Sequence, residues 1–267
     1  MADGERRFRI AHLSDLHCGG PYFEANLLER AISEVNEFAP DVVICSGDLT
    51  TFGFKHEYHV ARSYLERIDC DSFVVVPGNH DARNVGYVHF EELFGARNSV
   101  LRLGNTTIVA VDSTEPDLDH GQIGRGRYPW IEEQFGDDSE LRIFVLHHHL
   151  LPVPGTGRER NVVYDAGDAL ECLQRARVHM VLSGHKHVPY AWRLENMFIL
   201  NAGTVSSLRL RGNTRPCYNV IEVEGAHVSV WRRYPFHGQE RIIQFSTETL
   251  EFEKYTARIE GELSSRS

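Results

Sequence analysis

Apolar runs that end in polar residues recur along the first two thirds of the chain. Three of them are rich in β-branched residues, as buried strands are, and they cover residues 8–15 (FRIAHLSD), 41–48 (DVVICSGD) and 72–81 (SFVVVPGNHD). Residues 26–38 and 57–68 lie between these runs and carry apolar side chains at helical spacing. This alternation of strand and helix predicts βαβ units and a largely parallel sheet.

The same criteria predict further elements beyond residue 97. They are a hairpin at 99–113 around a Gly-Asn turn, a short helix at 128–135, strands at 141–149 and 179–187, and a helix near 166–176. From about residue 190, short alternating runs divided by Gly and Asn predict antiparallel strands. One α/β domain over residues 1–267, with two sheets flanked by helices, fits this pattern best. Its C-terminal part is a strand-rich segment at 206–255 and a frayed polar tail at 256–267.

The composition is that of an ordinary globular protein, with 42% hydrophobic and 25% charged residues. No apolar run approaches the ~20 residues of a membrane span, and the first ten residues lack the apolar core of a signal peptide, so we expect a cytoplasmic protein. The five cysteines are scattered and form no CxxC pair, which predicts free thiols in a reducing compartment. The formal net charge of −10 argues against broad binding to nucleic acid or to an anionic membrane, but it permits an anionic small molecule at a metal-bearing site.

Candidate chemistry lies at the ends of five predicted strands. The polar residues there are Asp15 and His17, Gly47-Asp48, Gly78-Asn79-His80-Asp81, His147-His148-His149, and Gly184-His185-Lys186-His187. In open α/β sheets the carboxyl ends of the strands face one crevice, where ligands bind. We therefore expect these side chains to converge on one spot.

The converging side chains are two aspartates, one asparagine and at least four histidines, without a cysteine. This set contains too much imidazole for calcium or magnesium alone and lacks the thiolates of a structural zinc site, whereas it suits Mn, Fe, Zn, Ni or Co. Seven donors exceed what one ion takes from a protein while leaving room for a substrate. Two ions that share one carboxylate would use them all, and a pair about 3.5–4 Å apart can clamp both oxygens of a displacement at phosphorus.

The order of these motifs, D-x-H, G-D, G-N-H-D, H and G-H-x-H, resembles that of the calcineurin-like metallophosphoesterase superfamily. The resemblance covers a metal-site core of about residues 8–205. It implies a four-layer α/β/β/α sandwich of two mixed sheets flanked by helices. It also implies two divalent or trivalent metal ions, Mn, Fe or Zn, bound at the strand ends.

The resemblance further implies a role for each motif residue. The first metal would be bound by Asp15, His17 and His187, the second by Asn79, His185 and one histidine of the run 147–149, and both would share Asp48. Strand register favours His147 within that run. His148 is the alternative, because a bulge would shift the register by one residue.

Hydrolysis in this family implies attack of a metal-bridging hydroxide on phosphorus. His80 would not bind metal but would stabilise charge on a phosphoryl oxygen or protonate the leaving alkoxide, and Asp81 would orient His80 by accepting its second N–H. Candidate substrate contacts are Arg83 after the GNHD motif and Arg158 in the loop after the histidine run, because arginine suits phosphate oxygens. His149 is a further candidate, either as a substrate contact or as a group that supports a ligand.

Two features narrow the branch of the superfamily. Purple acid phosphatases carry a tyrosine ligand three residues after the aspartate of G-D, where this chain has Thr51. Non-catalytic scaffold members have lost ligands, whereas none is missing here. The chain is most similar to the bacterial cyclic-nucleotide and glycerophosphodiester phosphodiesterase branch, which implies hydrolysis of a small-molecule phosphodiester.

Other functions use the same residues and stay open. A phosphomonoesterase or a nucleotide pyrophosphatase would need the same centre, because the metals recognise only the phosphoryl group. A metal-binding interaction scaffold is the alternative outside enzymes, and the intact His80 argues against it. A nuclease is disfavoured by the net charge and by the lack of a basic stretch with interleaved aromatic residues. The strand-rich C-terminal segment is a candidate homodimer surface.

Overall fold

The computed structural model describes residues 7–136, 140–156, 162–249 and 251–254. The α-helices of this part are α1 (Ala25–Phe38), α2 (Lys55–Leu65), α3 (Gly86–Phe94), α4 (Tyr128–Gln134) and α5 (Ala166–Arg175). The strands are β1 (Phe8–Leu13), β2 (Val42–Cys45), β3 (Phe73–Val75), β4 (Ser99–Leu103), β5 (Thr106–Ala110), β6 (Leu141–Val145), β7 (Met180–Ser183), β8 (Tyr190–Leu194), β9 (Met197–Asn201), β10 (Tyr218–Glu224), β11 (His227–Tyr234), β12 (Gly238–Ser246) and β13 (Phe252–Lys254). Over the described ranges, no helix is both long and apolar enough to cross a bilayer.

Helix α1 illustrates why the amphipathic segments fold as helices. It buries one apolar face, formed by residues three and four positions apart, namely Leu28, Ala31, Ile32, Val35 and Phe38. The helix ends at Ala39, whose backbone is left-handed with φ 51° and whose N–H donates to the Val35 carbonyl. Pro40 follows and cannot extend the helix, because it has no N–H to donate.

The strands form two mixed sheets. The first has the order β13-β12-β11-β10-β1-β2-β3, in which β1–β2 and β2–β3 are parallel and the other pairs antiparallel. The second has the order β4-β5-β6-β7-β9-β8, with a parallel centre from β5 to β9 and an antiparallel pair at each edge. The predicted parallel strands are therefore present, but they are divided between two sheets.

Three apolar clusters fill the spaces between the layers. Strand β2 shows the arrangement, because Val42 and Ile44 point into the cluster between the two sheets while Val43 and Cys45 point into the cluster under α1 and α2. A third cluster packs α4 and α5 against the outer face of the second sheet. Both faces of the central strands are buried, which explains their continuous apolar runs. The predicted four-layer α/β/β/α sandwich is confirmed.

Most of the predicted elements are found, including the hairpin of β4 and β5. Helix α3 and strands β12 and β13 were not specified by the sequence patterns, although both strands fall in the segment predicted to be strand-rich. All five cysteines carry free thiols, as predicted, and Cys18 is fully buried in the cluster under α1 and α2. The predicted frayed tail at 256–267 lies outside the described residues.

Candidate metal centre

The motif residues follow β1, β2 and β3 in the first sheet and β6 and β7 in the second. Backbone pairing continues past the strands, since the Asp15 N–H donates to the Gly47 carbonyl at 2.9 Å and the Gly184 N–H to the His147 carbonyl at 3.0 Å. The His185 N–H donates to Asp15 Oδ2 at 3.0 Å, which connects the two sheets. The sandwich thus brings the ends of both sets of strands together at one edge.

Five of the predicted ligands have left-handed backbone conformations. The angle φ is 54° at Asp15, 52° at His17, 52° at Asp48, 80° at His185 and 58° at His187. Residues other than glycine adopt this region rarely, at a cost on the order of 1–3 kcal/mol each. Such conformations persist only where the surrounding structure imposes them. Their concentration at one edge indicates that the backbone is shaped to place these side chains.

Glycine precedes the ligands because the ligands approach the backbone closely. A Cβ atom at Gly78 would lie 2.1 Å from Asp48 Oδ1, and one at Gly184 would lie 1.9 Å from the Ser14 hydroxyl oxygen and 2.4 Å from Asp15 Oδ2. Both positions therefore exclude any larger residue. The glycines of the GNHD and GHKH motifs make room for the two buried carboxylates.

The structure brings the side chains of the first predicted ligand set close together. The Nε2 atoms of His17 and His187 are 2.8 Å apart, His187 Nε2 lies 3.3 Å from Asp15 Oδ1, and His17 Nε2 lies 3.6 Å from Asp48 Oδ2. All four side chains are almost completely buried. Burial lowers the pKa of His17 to about 3, so its imidazole is neutral.

The second predicted set meets the first at Asp48. Asn79 Oδ1 lies 2.9 Å from His185 Nδ1 and 3.2 Å from His147 Nε2, and His147 Nε2 lies 3.5 Å from Asp48 Oδ2. The Asn79 amide is held by Asp119, which accepts a hydrogen bond from Asn79 Nδ2 at 3.2 Å. The amide oxygen is thereby turned towards the two imidazoles.

The structure places His147 at the centre and His148 outside it. His147 Nδ1 donates to the Ser46 carbonyl at 2.7 Å, so its Nε2 faces Asp48 and Asn79. His148 Nδ1 pairs instead with the Ser113 hydroxyl at 2.9 Å. The alternative in which His148 is the ligand is not favoured by this geometry.

The donor set fits metal ions. At 2.8 Å the Nε2 atoms of His17 and His187 require a proton or a cation between them, and Asp15 and Asp48 add carboxylate oxygens on the same side. The His187 Nδ1–H donates to the Arg209 carbonyl at 2.6 Å, which leaves Nε2 as the donor atom. Although burial alone would raise the pKa of Asp48, the imidazoles of His147, His80 and His17 hold it well below its usual value. The carboxylate is therefore ionised and able to bind a cation.

His80 lies at the floor of a pocket above these donors, 8% exposed. Its Nδ1–H donates to the Thr51 carbonyl at 2.6 Å. This contact leaves Nε2 available. One donor atom each of His80, His17 and Asp48 also lies within 4.8 Å of the others, so His80 is close enough to the centre to act on a group bound there.

The predicted role of Asp81 is wrong, because its carboxylate does not contact His80. It accepts hydrogen bonds from the backbone N–H groups of Leu49, Thr50 and Gly78 at 2.9–3.0 Å and from the Thr50 hydroxyl at 2.7 Å. Burial and the neighbouring Asp48 raise the pKa of Asp81 to about 7. The Asp81 carboxylate therefore holds the GNHD turn against the loop after β2. His80 is oriented instead by the Thr51 carbonyl.

The pocket has a volume of about 350 Å³. It is lined by Asn79, His80, Arg83, Asp119, His185, Lys186, His187, Arg209, Leu210 and Arg211. Arg83 was predicted, and its guanidinium forms an ion pair with Asp119 at 2.6 Å. Asp119, Lys186, Arg209 and Arg211 were not identified from the sequence.

Of the other predicted substrate contacts, His149 is not among the described residues that line the pocket. His149 is only 2% exposed, lies 3.4 Å from the Asn201 side-chain nitrogen and packs its ring 5.3 Å from that of His185. His149 therefore supports the predicted ligand His185, which is the second of the two roles predicted for it. It does not line the pocket. Arg158 lies outside the described residues.

The chain belongs to the calcineurin-like phosphoesterase family. The family model described as "Calcineurin-like phosphoesterase" matches residues 8–189, which is more than half of the chain and includes every predicted ligand. The fold and the order of the donors along the chain agree with this assignment.

Three curated relatives correspond to the predicted branch. The chain is 27% identical over 154 residues to a probable cyclic nucleotide phosphodiesterase from Synechococcus sp., a match covering 56% of this chain and 58% of the relative. It is 27% identical over 200 residues to the 3′,5′-cyclic adenosine monophosphate phosphodiesterase CpdA of Escherichia coli, covering 69% and 71%. It is 30% identical over 129 residues to a probable glycerophosphodiester phosphodiesterase GpdQ from Arcobacter nitrofigilis, covering 46% and 47%. The chain thus matches little more than half the length of the Synechococcus relative and less than half of the Arcobacter one.

Two solved structures share the fold. Purple acid phosphatase PPD1 from yellow lupin seeds superposes with a TM-score of 0.71 and 15% identity, over 88% of this chain and 52% of that one. A dimetal phosphatase from Danio rerio superposes with a TM-score of 0.70 and 11% identity, over 88% and 98%. At these identities the likeness establishes the architecture alone.

Proposed function

We propose that this chain is a dinuclear metal-dependent phosphodiesterase that hydrolyses a small-molecule phosphodiester of the cyclic-nucleotide or glycerophosphodiester type. The observation that carries the proposal is the position of Asp48, whose Oδ2 lies 3.6 Å from His17 Nε2 and 3.5 Å from His147 Nε2. One buried carboxylate thus touches both donor sets. Family membership and the activities named for the relatives support the reaction class.

In this proposal each donor set holds one ion and Asp48 is shared. Asp15, His17 and His187 complete the first set, and Asn79, His147 and His185 complete the second. Two ions bound there would lower the pKa of a water molecule that they hold. They would also polarise a phosphoryl oxygen of the substrate that faces them. The nitrogen and oxygen donors suit Mn, Fe and Zn alike.

The protein's own contribution is placement. Hydrogen bonds from His147 and His187 to the carbonyls of Ser46 and Arg209 fix the two rings, so the donor atoms need no reorientation when substrate arrives. His80 is held through Nδ1 by the Thr51 carbonyl, and its Nε2 faces the pocket, where it stabilises a phosphoryl oxygen or protonates the leaving alkoxide.

A substrate panel on metal-reconstituted protein tests the proposal. We expect hydrolysis of bis(p-nitrophenyl) phosphate, cyclic AMP or glycerophosphocholine to exceed that of p-nitrophenyl phosphate. Preference for the monoester would replace the phosphodiesterase proposal by a phosphomonoesterase. Absence of turnover on every substrate, with two ions bound per chain, would favour the metal-binding scaffold.

A further inference from the structure

The pocket above the centre is lined by more positive than negative charge. Among the described residues that line it, Arg83, Lys186, Arg209 and Arg211 are basic and Asp119 alone carries a carboxylate. Asp119 is already paired with Arg83 at 2.6 Å. Within the described part of the chain, the guanidinium groups of Arg209 and Arg211 have no hydrogen-bond or ion-pair partner. Two positive charges therefore border the pocket without a counter-charge from the residues that the structure describes.

The loop that carries these arginines is attached to the centre. The Arg209 carbonyl accepts the Nδ1–H of the predicted ligand His187 at 2.6 Å, and the Arg209 N–H donates to the buried Ser207 hydroxyl at 3.2 Å. The neighbouring Leu208 N–H donates to the Tyr22 carbonyl at 2.8 Å. These contacts hold the backbone of Leu208 and Arg209 next to the centre, at the border of the pocket that Arg209 and Arg211 line.

The local charge is unexpected from the composition. The whole chain has a formal net charge of −10, so a pocket with more basic than acidic residues among those described does not follow from an excess of basic residues. Guanidinium groups match the oxygens of phosphate in a bidentate geometry. The volume of about 350 Å³ lies in the range of sites that enclose a ligand larger than one phosphoryl group.

We propose that Arg209 and Arg211 bind a second phosphate group of the substrate, separate from the phosphodiester that is cleaved. This inference rests on the proposed function and narrows its substrate class to phosphodiesters that carry a further phosphate. A substrate with one phosphate, such as cyclic AMP, would use the centre but leave both arginines without a ligand.

The test uses two chromogenic diesters that differ by one phosphate, thymidine 5′-(p-nitrophenyl phosphate) and the same compound phosphorylated at its 3′ oxygen. For the wild-type enzyme we expect kcat/KM to be about tenfold higher or more for the 3′-phosphorylated compound, as expected for charge-assisted hydrogen bonds. The double variant Arg209→Ala with Arg211→Ala should lose this preference, so that its kcat/KM values for the two compounds agree within about twofold. Arg215→Ala removes an exposed arginine that does not line the pocket and should keep the preference.

A binding measurement separates this inference from the proposed function. Calorimetric titration of thymidine 3′,5′-bisphosphate and of thymidine 5′-monophosphate requires no turnover. We expect tighter binding of the bisphosphate by the wild-type protein and equal affinities for the double variant.

If the parent diester is hydrolysed but neither kinetics nor binding favours the second phosphate, the inference is wrong and the proposed function stands. If the double variant loses affinity for both ligands equally, the arginines act on the first phosphate and the inference is again overturned. Preferential binding of the bisphosphate without hydrolysis of either diester would support the inference and contradict the proposed function.

Discussion

The donors at the centre and the basic residues at the pocket rim differ in how the protein holds them. Asp15 and His147 are completely buried, and Asp48 is 1% exposed. In contrast, Arg209 and Arg211 are exposed. The imidazole of His147 is fixed by a backbone carbonyl, whereas the two guanidinium groups have no partner in the part of the chain that the structure describes.

This difference separates two tasks. Donors held by the backbone keep one geometry whatever substrate is present, which suits a centre that recognises a phosphoryl group. Exposed cations are free to adapt and contribute according to the charge of the ligand. Substitutions of the donors at the centre, the donor layer, should therefore lower turnover of every substrate. Substitutions of Arg209 and Arg211 at the pocket rim should change the preference between substrates.

The largest effect is expected for Asp48→Asn, which keeps the size of the side chain and removes its charge. We expect kcat to fall by more than about 10³-fold on every substrate, since one positioned group alone is worth about 10²–10³ and Asp48 contacts both donor sets. Metal analysis should show fewer than two ions per chain. Asp71→Asn, at an exposed aspartate, is the matched control. Unchanged kcat with two ions bound would contradict the dinuclear proposal.

The next largest effect is expected for His80→Ala. Loss of a positioned acid or charge-stabilising group should lower kcat by about 10²–10⁴-fold. Metal content should stay near two ions per chain, because the backbone N–H of residue 80, which donates to Asp48 Oδ1 at 2.9 Å, is retained. His59→Ala, at an exposed histidine, should behave as the wild type. If His80→Ala loses metal, His80 is a ligand and belongs to the donor layer.

Asp119 connects the two regions, and its substitution should have an intermediate effect. Its carboxylate holds both the Asn79 amide and the Arg83 guanidinium. In Asp119→Ala the Asn79 amide loses its orienting acceptor, so the affinity for the second ion should fall about tenfold, as measured by titration with Mn²⁺. Asp119→Asn keeps an acceptor oxygen and should restore most of this affinity. Equal loss in both variants would show that the charge of Asp119 matters and that the orientation of Asn79 does not.

The donor layer could be predicted from the sequence because its signals are local. Each donor follows an apolar β-branched run, and the fold of parallel strands places such positions at one edge. Gly78 and Gly184 are explained by carboxylate oxygens that would lie no more than 2.4 Å from an added Cβ atom, whereas the sequence shows only that glycine recurs in the motifs. The pattern predicted two sheets, but the division of the parallel strands between them followed only from the family resemblance, which implies two mixed sheets.

The rest depended on contacts between distant parts of the chain. Asp81 is adjacent to His80 in sequence, but the turn directs its carboxylate to the backbone N–H groups of Leu49, Thr50 and Gly78. His149 follows two histidines near the centre, yet it packs behind His185. Arg209 lies beside the pocket because its carbonyl accepts a hydrogen bond from His187, which stands 22 residues earlier in the chain, and no sequence motif predicts such a contact.

The smallest effect is expected for Arg83→Ala. This variant tests whether the ion pair with Asp119 limits how much Arg83 contributes to substrate binding. Arg83 lines the pocket, but its guanidinium is already paired at 2.6 Å, and a partly exposed pair of this kind contributes about 0.2–1 kcal/mol. KM should therefore rise less than about fivefold, with kcat unchanged, for both thymidine diesters used to probe Arg209 and Arg211. Arg62→Ala removes an exposed arginine with a comparable ion pair to Glu66 and is the control. A tenfold rise in KM for the 3′-phosphorylated diester alone would show that Arg83 leaves Asp119 to bind the second phosphate. Arg83, Arg209 and Arg211 would then act as one cluster that binds the second phosphate. The ion pair of Arg83 with Asp119 would not distinguish it from the other two arginines in how this pocket selects its substrate.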